Sequence, residues 1–214
     1  MRVAAAMILV FLGGFAIMVL EIVGARFLAR DFGSSFYIWV SQIGVVLAAL
    51  ALGYYAGGTL ADRHEHNDAL TWLLLGTGVF TGAIPEFAPR LINVIITRHP
   101  TNLAIPILWQ KLDPALGSAL IFLFPCGVLA MLAPYMIRLT AQRVGHVGRI
   151  SGLVYAFSTL GSLAGVVVSG YLLIDLMKLS NIFRGTGALI LLLGALCWFV
   201  EGRGSTGQSE EVAK

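Results

Sequence analysis

Six long stretches of this chain contain no Asp, Glu, Lys or Arg: Val3 to Leu20, Phe32 to Ala61, Ala69 to Pro85, Pro114 to Ile137, Ile150 to Ile174 and Gly185 to Val200. A helix needs about 20 apolar residues to cross the hydrocarbon core of a bilayer. Most of the stretches reach that length alone, and the third and sixth reach it with flanking residues. Only 12% of the 214 residues are charged, against about a quarter in soluble domains, and the mean hydropathy is +0.88. A chain of this size has no aqueous core large enough to absorb so much apolar surface. The runs are too long, and alternate too little, for the ten-residue strands of a membrane barrel. The expected fold is therefore an all-α, polytopic membrane bundle of about six transmembrane helices.

The predicted spans are Ala4 to Leu28, Ser35 to Ala61, Ala69 to Ala88, Pro114 to Leu139, Ile150 to Ile174 and Leu179 to Val200, which makes residues 1–200 one helical bundle. The first is expected to be a retained helix, because no small-x-small cleavage site follows it and five more apolar segments do. Between the third and fourth spans, residues 89–113 hold Arg90, Arg98, His99, Pro100, Pro106 and Lys111. The apolar pieces there are too short to span, so the segment is expected to be extramembrane or re-entrant. Residues 201–214 are rich in Gly and Ser and are expected to form a disordered tail.

The net charge of +3 does not indicate a nucleic-acid partner, because the basic residues are scattered between apolar runs. The bilayer itself is the expected partner. With an even number of spans, Arg and Lys divide seven against seven between the two faces. The short segment from Arg138 to Arg149 concentrates three arginines without an acid, and short basic loops favour the cytoplasm. Both termini are therefore expected in the cytoplasm and the chain in the cell (inner) membrane. Cys126 and Cys197 lie in apolar runs without metal or redox spacing and read as packing residues. No GxGxxG follows a strand, and no P-loop, HExxH or GxSxG occurs, so no cofactor is expected.

Small residues predict the close helix contacts. Ala49, Gly53, Gly57 and Ala61 recur every four residues in the second span, as do Gly161, Gly165 and Ser169 in the fifth. Such ridges let backbones approach where lipid supplies no hydrophobic drive, and both helices are expected to be internal.

Glu21 follows eighteen uncharged residues and shares a helical face with Gly14, Met18 and Ala25. A carboxylate at that depth is costly unless it turns inward, pairs or takes up a proton, which makes it a functional candidate. A structural ion pair with Arg26 or Arg184, or an interfacial water, would satisfy the same requirement, and Arg26 is itself a candidate for binding a substrate or ion. Tyr37, Ser41 and Gln42 in the second span, with Tyr155, Ser158, Thr159 and Ser162 in the fifth, either line a solute pocket or bond between helices. His64 and His66 sit in ADRHEHND without zinc-site spacing, so no metal is expected and a solvated turn is the better reading.

Two stretches, LEIVGARFLARDFGSSFYIWVSQIGVVLAALALGYYAGGTLADR (Leu20 to Arg63) and GRISGLVYAFSTLGSLAG (Gly148 to Gly165), resemble the membrane domain of the bacterial spermidine synthase-like proteins. That membrane part in turn resembles half of a major facilitator transporter. The resemblance covers under a third of the chain and does not include the family's synthase module. It implies a membrane subunit rather than an enzyme, with aminopropyl transfer requiring a separate soluble synthase-like partner. Gly57 to Asn67 is similar to the facilitator loop between helices two and three, a cytoplasmic loop. Its basic residues are replaced here by His64, Glu65 and His66, while Asp62 remains available to pair with Arg63, Arg138 or Arg143. Three functions follow as expectations: a subunit working with a partner in solute or polyamine-related transport, a half-sized transporter completed by homo-oligomerisation, or a structural anchor.

Overall fold

The computed structural model describes residues 2–33, 36–63, 69–99, 106–140 and 147–211, with backbone only for Arg2, Arg63 and residues 200–211. Eight α-helices occur among them: α1 (Arg2–Phe32), α2 (Phe36–Arg63), α3 (Ala69–Thr97), α4 (Ile107–Ala130), α5 (Leu132–Thr140), α6 (Val147–Val168), α7 (Ile174–Leu176) and α8 (Leu179–Glu211). No strand is present among the described residues. Six spans are long and apolar enough to cross a membrane: Val3–Phe32, Phe36–Asp62, Ala69–Thr97, Ile107–Thr140, Val147–Leu176 and Leu179–Phe199. The fourth joins α4 to α5, and the fifth joins α6 to α7 through a π-helical turn, Ser169–Leu173. The chain is an all-α, multi-pass membrane bundle.

Local sequence accounts for the breaks. Pro134 has no N–H to give to Ala130 and its ring crowds that carbonyl, so the helix steps at Met131, between α4 and α5. Gly33, at φ 84°, ends α1 in the left-handed region that glycine enters without a Cβ penalty. Pro85 and Pro89 lie within α3 without ending it, since neighbouring helices can support a proline in a membrane span. That continuity gives the parts of residues 89–113 on either side of the described gap a helical form. Residues 89–97 complete α3 and residues 107–113 begin α4, so the short apolar pieces there are extensions of spanning helices. At the other end α8 carries on to Glu211, through most of the stretch read as a disordered tail. A helix already nucleated by a membrane span adds residues more readily than it starts anew.

The first and fourth spans form the centre, each 56% buried in its most apolar window. The second and fifth are 28% and 17% buried, which corrects the expectation that they are internal. Their small-residue ridges are buried as predicted, but each ridge packs only one face and the rest of the helix lies on the surface. A methyl group at Gly53 would strike Gly127 O, and one at Gly57 would lie 2.7 Å from Met131 Cα. In the fifth span a methyl at Gly161 would strike Phe11 O, and one at Gly165 would lie 2.5 Å from Phe15 O. The central layer is closed by Phe183 of α8, whose ring lies 5.5 Å from Phe27 and 6.1 Å from Phe122.

The pattern of packing repeats. The first span packs along the fifth and the fourth along the second; the third packs along the sixth. The first also meets the sixth, and the fourth meets the third. Exchanging first with fourth, second with fifth and third with sixth leaves the pattern unchanged. Three spans per half is an odd number, so the halves run through the membrane in opposite senses, as in inverted-repeat membrane proteins. The sequence carries traces of the same repeat. Leu-Gly-x-x-Ala-Gly occurs at Leu52 to Gly57 and again at Leu160 to Gly165, and Gly-Thr-Gly occurs at Gly76 to Gly78 and again at Gly185 to Gly187. Equivalent glycines do equivalent work: Gly78 and Gly187 interlock, a methyl on the latter lying 2.6 Å from Gly78 O.

Candidate functional site

A small cleft opens where the first, second, fourth and fifth spans meet, lined among others by Gly14, Ile17, Tyr54, Ala130, Ala133 and Ser158. Glycine at position 14 lets the fifth span come close, because a Cβ there would strike Ser158 O. Ser162 then donates a hydrogen bond to Gly14 O at 3.4 Å. Tyr54 and Tyr155 reach the cleft region from opposite sides, close enough for their phenols to interact electrostatically. Both are substantially exposed. Tyr54 carries no ridge or motif of its own, which is why sequence reading passed over it.

Glu21 lies one helical turn beyond Ile17 on the same line of α1. It is half-buried and within electrostatic reach of Cys126 in α4. Among the described residues no hydrogen bond or ion pair reaches it. Arg26 is exposed and forms no ion pair among the described residues, and Arg184 bonds Glu86 of α3 at 2.6 Å. The ion pairs expected as alternatives for Glu21 are therefore not made.

The remaining polar candidates separate. Gln42 is fully buried; its Oε1 accepts from Ser118 Oγ at 2.7 Å and its Nε2 donates to Leu20 O at 3.5 Å. It joins the first, second and fourth spans and is occupied by that task. Gly24 makes room for it, since a methyl there would lie 2.6 Å from Nε2. Tyr37 lies away from the cleft, its ring 5.1 Å beneath Lys111 Nζ. Thr159 is exposed and donates to Tyr155 O of its own helix at 2.8 Å. Ser158 thus lines the cleft and Tyr155 approaches Tyr54 beside it, Glu21 stands one turn beyond the Ile17 wall, and Tyr37 and Gln42 belong elsewhere.

At the end of the bundle that carries the termini, Arg138 Nε lies 3.6 Å from Asp62 Oδ1, with both side chains mainly exposed. This is one of the pairings expected for Asp62. The Arg63 side chain, residues 64–68 with both histidines, and Arg143 lie outside the described residues. No cluster of metal-ligating side chains occurs among the described residues.

A second polar cluster occupies the opposite end. Asp113 is 5% exposed and pairs with Arg98 through one oxygen and with His99 Nε2 through the other, at 2.7 Å. Trp109 covers both side chains, 4.4 Å from the Arg98 guanidinium and 6.0 Å from the His99 ring. Reading residues 89–113 as one separate segment hid this pairing. The signal was an acid set one turn or two into an apolar helix, with two bases closing the helix before it.

The class defined here is a six-span membrane bundle with an internal inverted repeat and a partly buried carboxylate beside a cleft. Compared with known protein families, characterised proteins and solved structures, the chain matches none.

Proposed function

We propose that this chain is the membrane-embedded subunit of a solute-transporting assembly, and that Glu21 takes a cationic solute at the edge of the central cleft. The observation that carries this reading is a half-buried carboxylate, inside a span, with no cation supplied by the described part of the chain. An ionisable group at such depth is retained at a cost, and function is the usual reason. Exposed phenols from the second and fifth spans supply aromatic faces suited to an organic cation. A cleft bounded by four spans but open on one side suits half of a larger pathway, because transporters commonly place their sites between repeated halves. The likeness of Leu20 to Arg63 to spermidine synthase-like membrane domains makes a polyamine the first solute to test. A synthase-like soluble chain is the partner to seek.

The same reading places the chain in the inner membrane with both termini in the cytoplasm. Purification from native membranes in mild detergent, with co-purifying polypeptides identified and spermidine binding measured on the intact assembly, tests it. Saturable spermidine binding is the expected result. A chain that binds no polyamine and supports no flux in proteoliposomes is an anchor instead. A second copy as sole partner, with flux, establishes the homodimeric half-transporter.

A further inference from the structure

We infer that Arg26 and Asp175 are the two halves of a second ion-pair latch, the counterpart at the opposite end of the bundle to Asp62 and Arg138, and that the bundle exchanges one latch for the other. The inference rests on the transport reading for its purpose, not for its geometry.

The geometry follows from the repeat. Gly57 packs on Met131 and Gly165 packs on Phe15, so the second span on the fourth corresponds to the fifth on the first. Five residues beyond Gly57 the second span reaches Asp62, and seven beyond Met131 the fourth reaches Arg138. These two meet. In the other half, Asp175 lies ten residues beyond Gly165 and Arg26 eleven beyond Phe15. The π turn Ser169–Leu173 takes up one extra residue compared with an α-helical turn. What remains is a displacement of about one helical turn on each partner. Acid and base are displaced together, so they stay level with one another. Arg26 also keeps to the side of α1 that faces the fifth span, following Phe15, Met18 and Ile22 at steps of three and four.

The two latches differ in state. Asp62 and Arg138 are paired, whereas neither Arg26 nor Asp175 has an ion partner among the described residues. All but the half-exposed Arg138 are well exposed, and exposed ion pairs are weak enough to open readily. An inverted repeat offers two conformations in which the halves trade roles. One is the structure described, closed at Asp62–Arg138. In the other, Arg26–Asp175 closes and Asp62–Arg138 parts.

Disulfide trapping in native membranes tests this, in a chain with Cys126→Ala and Cys197→Ala. Arg26→Cys with Asp175→Cys should cross-link under mild oxidation, and adding Asp62→Asn should raise the yield by up to about fivefold, the range an exposed ion pair can supply. In a second set, Asp62→Cys with Arg138→Cys should cross-link more when Arg26→Asp is added, and return to its starting yield when Asp175→Arg restores the opposite charge. The second set reads the same switch without cysteines at the proposed latch, so a folding defect in the first does not end the test. Absence of the Arg26/Asp175 cross-link while the other pair forms overturns the proposal. So does a yield indifferent to Asp62→Asn. Neither measurement uses a solute, so loss of polyamine binding with intact switching overturns the transport reading alone.

Discussion

Ser118 of α4 donates a 2.7 Å hydrogen bond to Gln42 of α2, and both side chains are fully buried. Removing one partner leaves the other unsatisfied in a dry interior, although hydrogen bonds between membrane helices average well below their nominal strength. Ser118→Ala and Gln42→Leu should each lower stability by about 1 kcal/mol. The double variant should cost less than the sum, because no orphaned group remains. Unfolding of the four proteins in detergent checks this.

The ridge glycines should be equally intolerant in both halves. Gly53→Leu and Gly161→Leu each push a side chain into a facing carbonyl, at about 1–3 kcal/mol for overpacking. Gly44→Leu, at a position with open space around it, should change stability by less than about 0.5 kcal/mol. Thermal unfolding of the three variants separates a packed ridge from the mere glycine content of a membrane helix. Equal tolerance at all three would remove the close contacts.

How much was legible in the sequence depended on which distances mattered. Span number and the buried faces of Gly53 and Gly161 follow from local spacing, since uncharged run length and four-residue periodicity are read along one helix. Which helices are central is a property of the whole packing; one small-residue face cannot distinguish a surface helix from an internal one. Asp62–Arg138 was foreseeable as one of three pairings because loop charges at the same membrane face have few partners. Asp113 with His99 was not, because Pro85 and Pro89 look like helix stops and the continuation of α3 depends on its neighbours. The Leu-Gly-x-x-Ala-Gly repeat is plain in the sequence, yet acquires meaning only once Gly57 and Gly165 are seen packing in equivalent places.

Asp113 should anchor the end of the bundle where α3 leads into α4. Asp113→Ala removes two charge-assisted bonds and should cost about 1.5–3 kcal/mol, the range for hydrogen bonds to charged groups. Trp109→Ala removes only the cover over Arg98 and His99 and should cost about 0.5–1 kcal/mol. If the tryptophan variant is the more destabilised in detergent unfolding, packing rather than the ion pairs holds this end together.

Topology has a direct readout. In a chain with its native cysteines replaced, Lys178→Cys should be labelled by an impermeant maleimide added to intact cells, and His146→Cys only after permeabilisation. The arginines from Arg138 to Arg149 motivate the prediction, since short basic segments stay inside. The reverse labelling pattern would place both termini outside.

Glu21 is where folding and function can be separated. The carboxylate has no partner among the described residues, so neutralising it breaks no internal ion pair. A charged group at the centre of a span costs about 2.5–3.5 kcal/mol on insertion scales, and less towards the interface. Glu21→Gln should therefore leave insertion and thermal stability unchanged or slightly improved. The same variant should lose polyamine binding by the intact assembly at least about tenfold, because a carboxylate-to-ammonium contact shielded from water is worth more than about 1.4 kcal/mol. Glu21→Asp keeps the charge and should retain part of the binding, which a purely packing role would not predict. Binding isotherms for the three proteins, with unfolding curves alongside, decide the matter. Unchanged affinity in the Gln variant would remove Glu21 from the site, and a Gln variant that fails to assemble would show that the charge serves the fold.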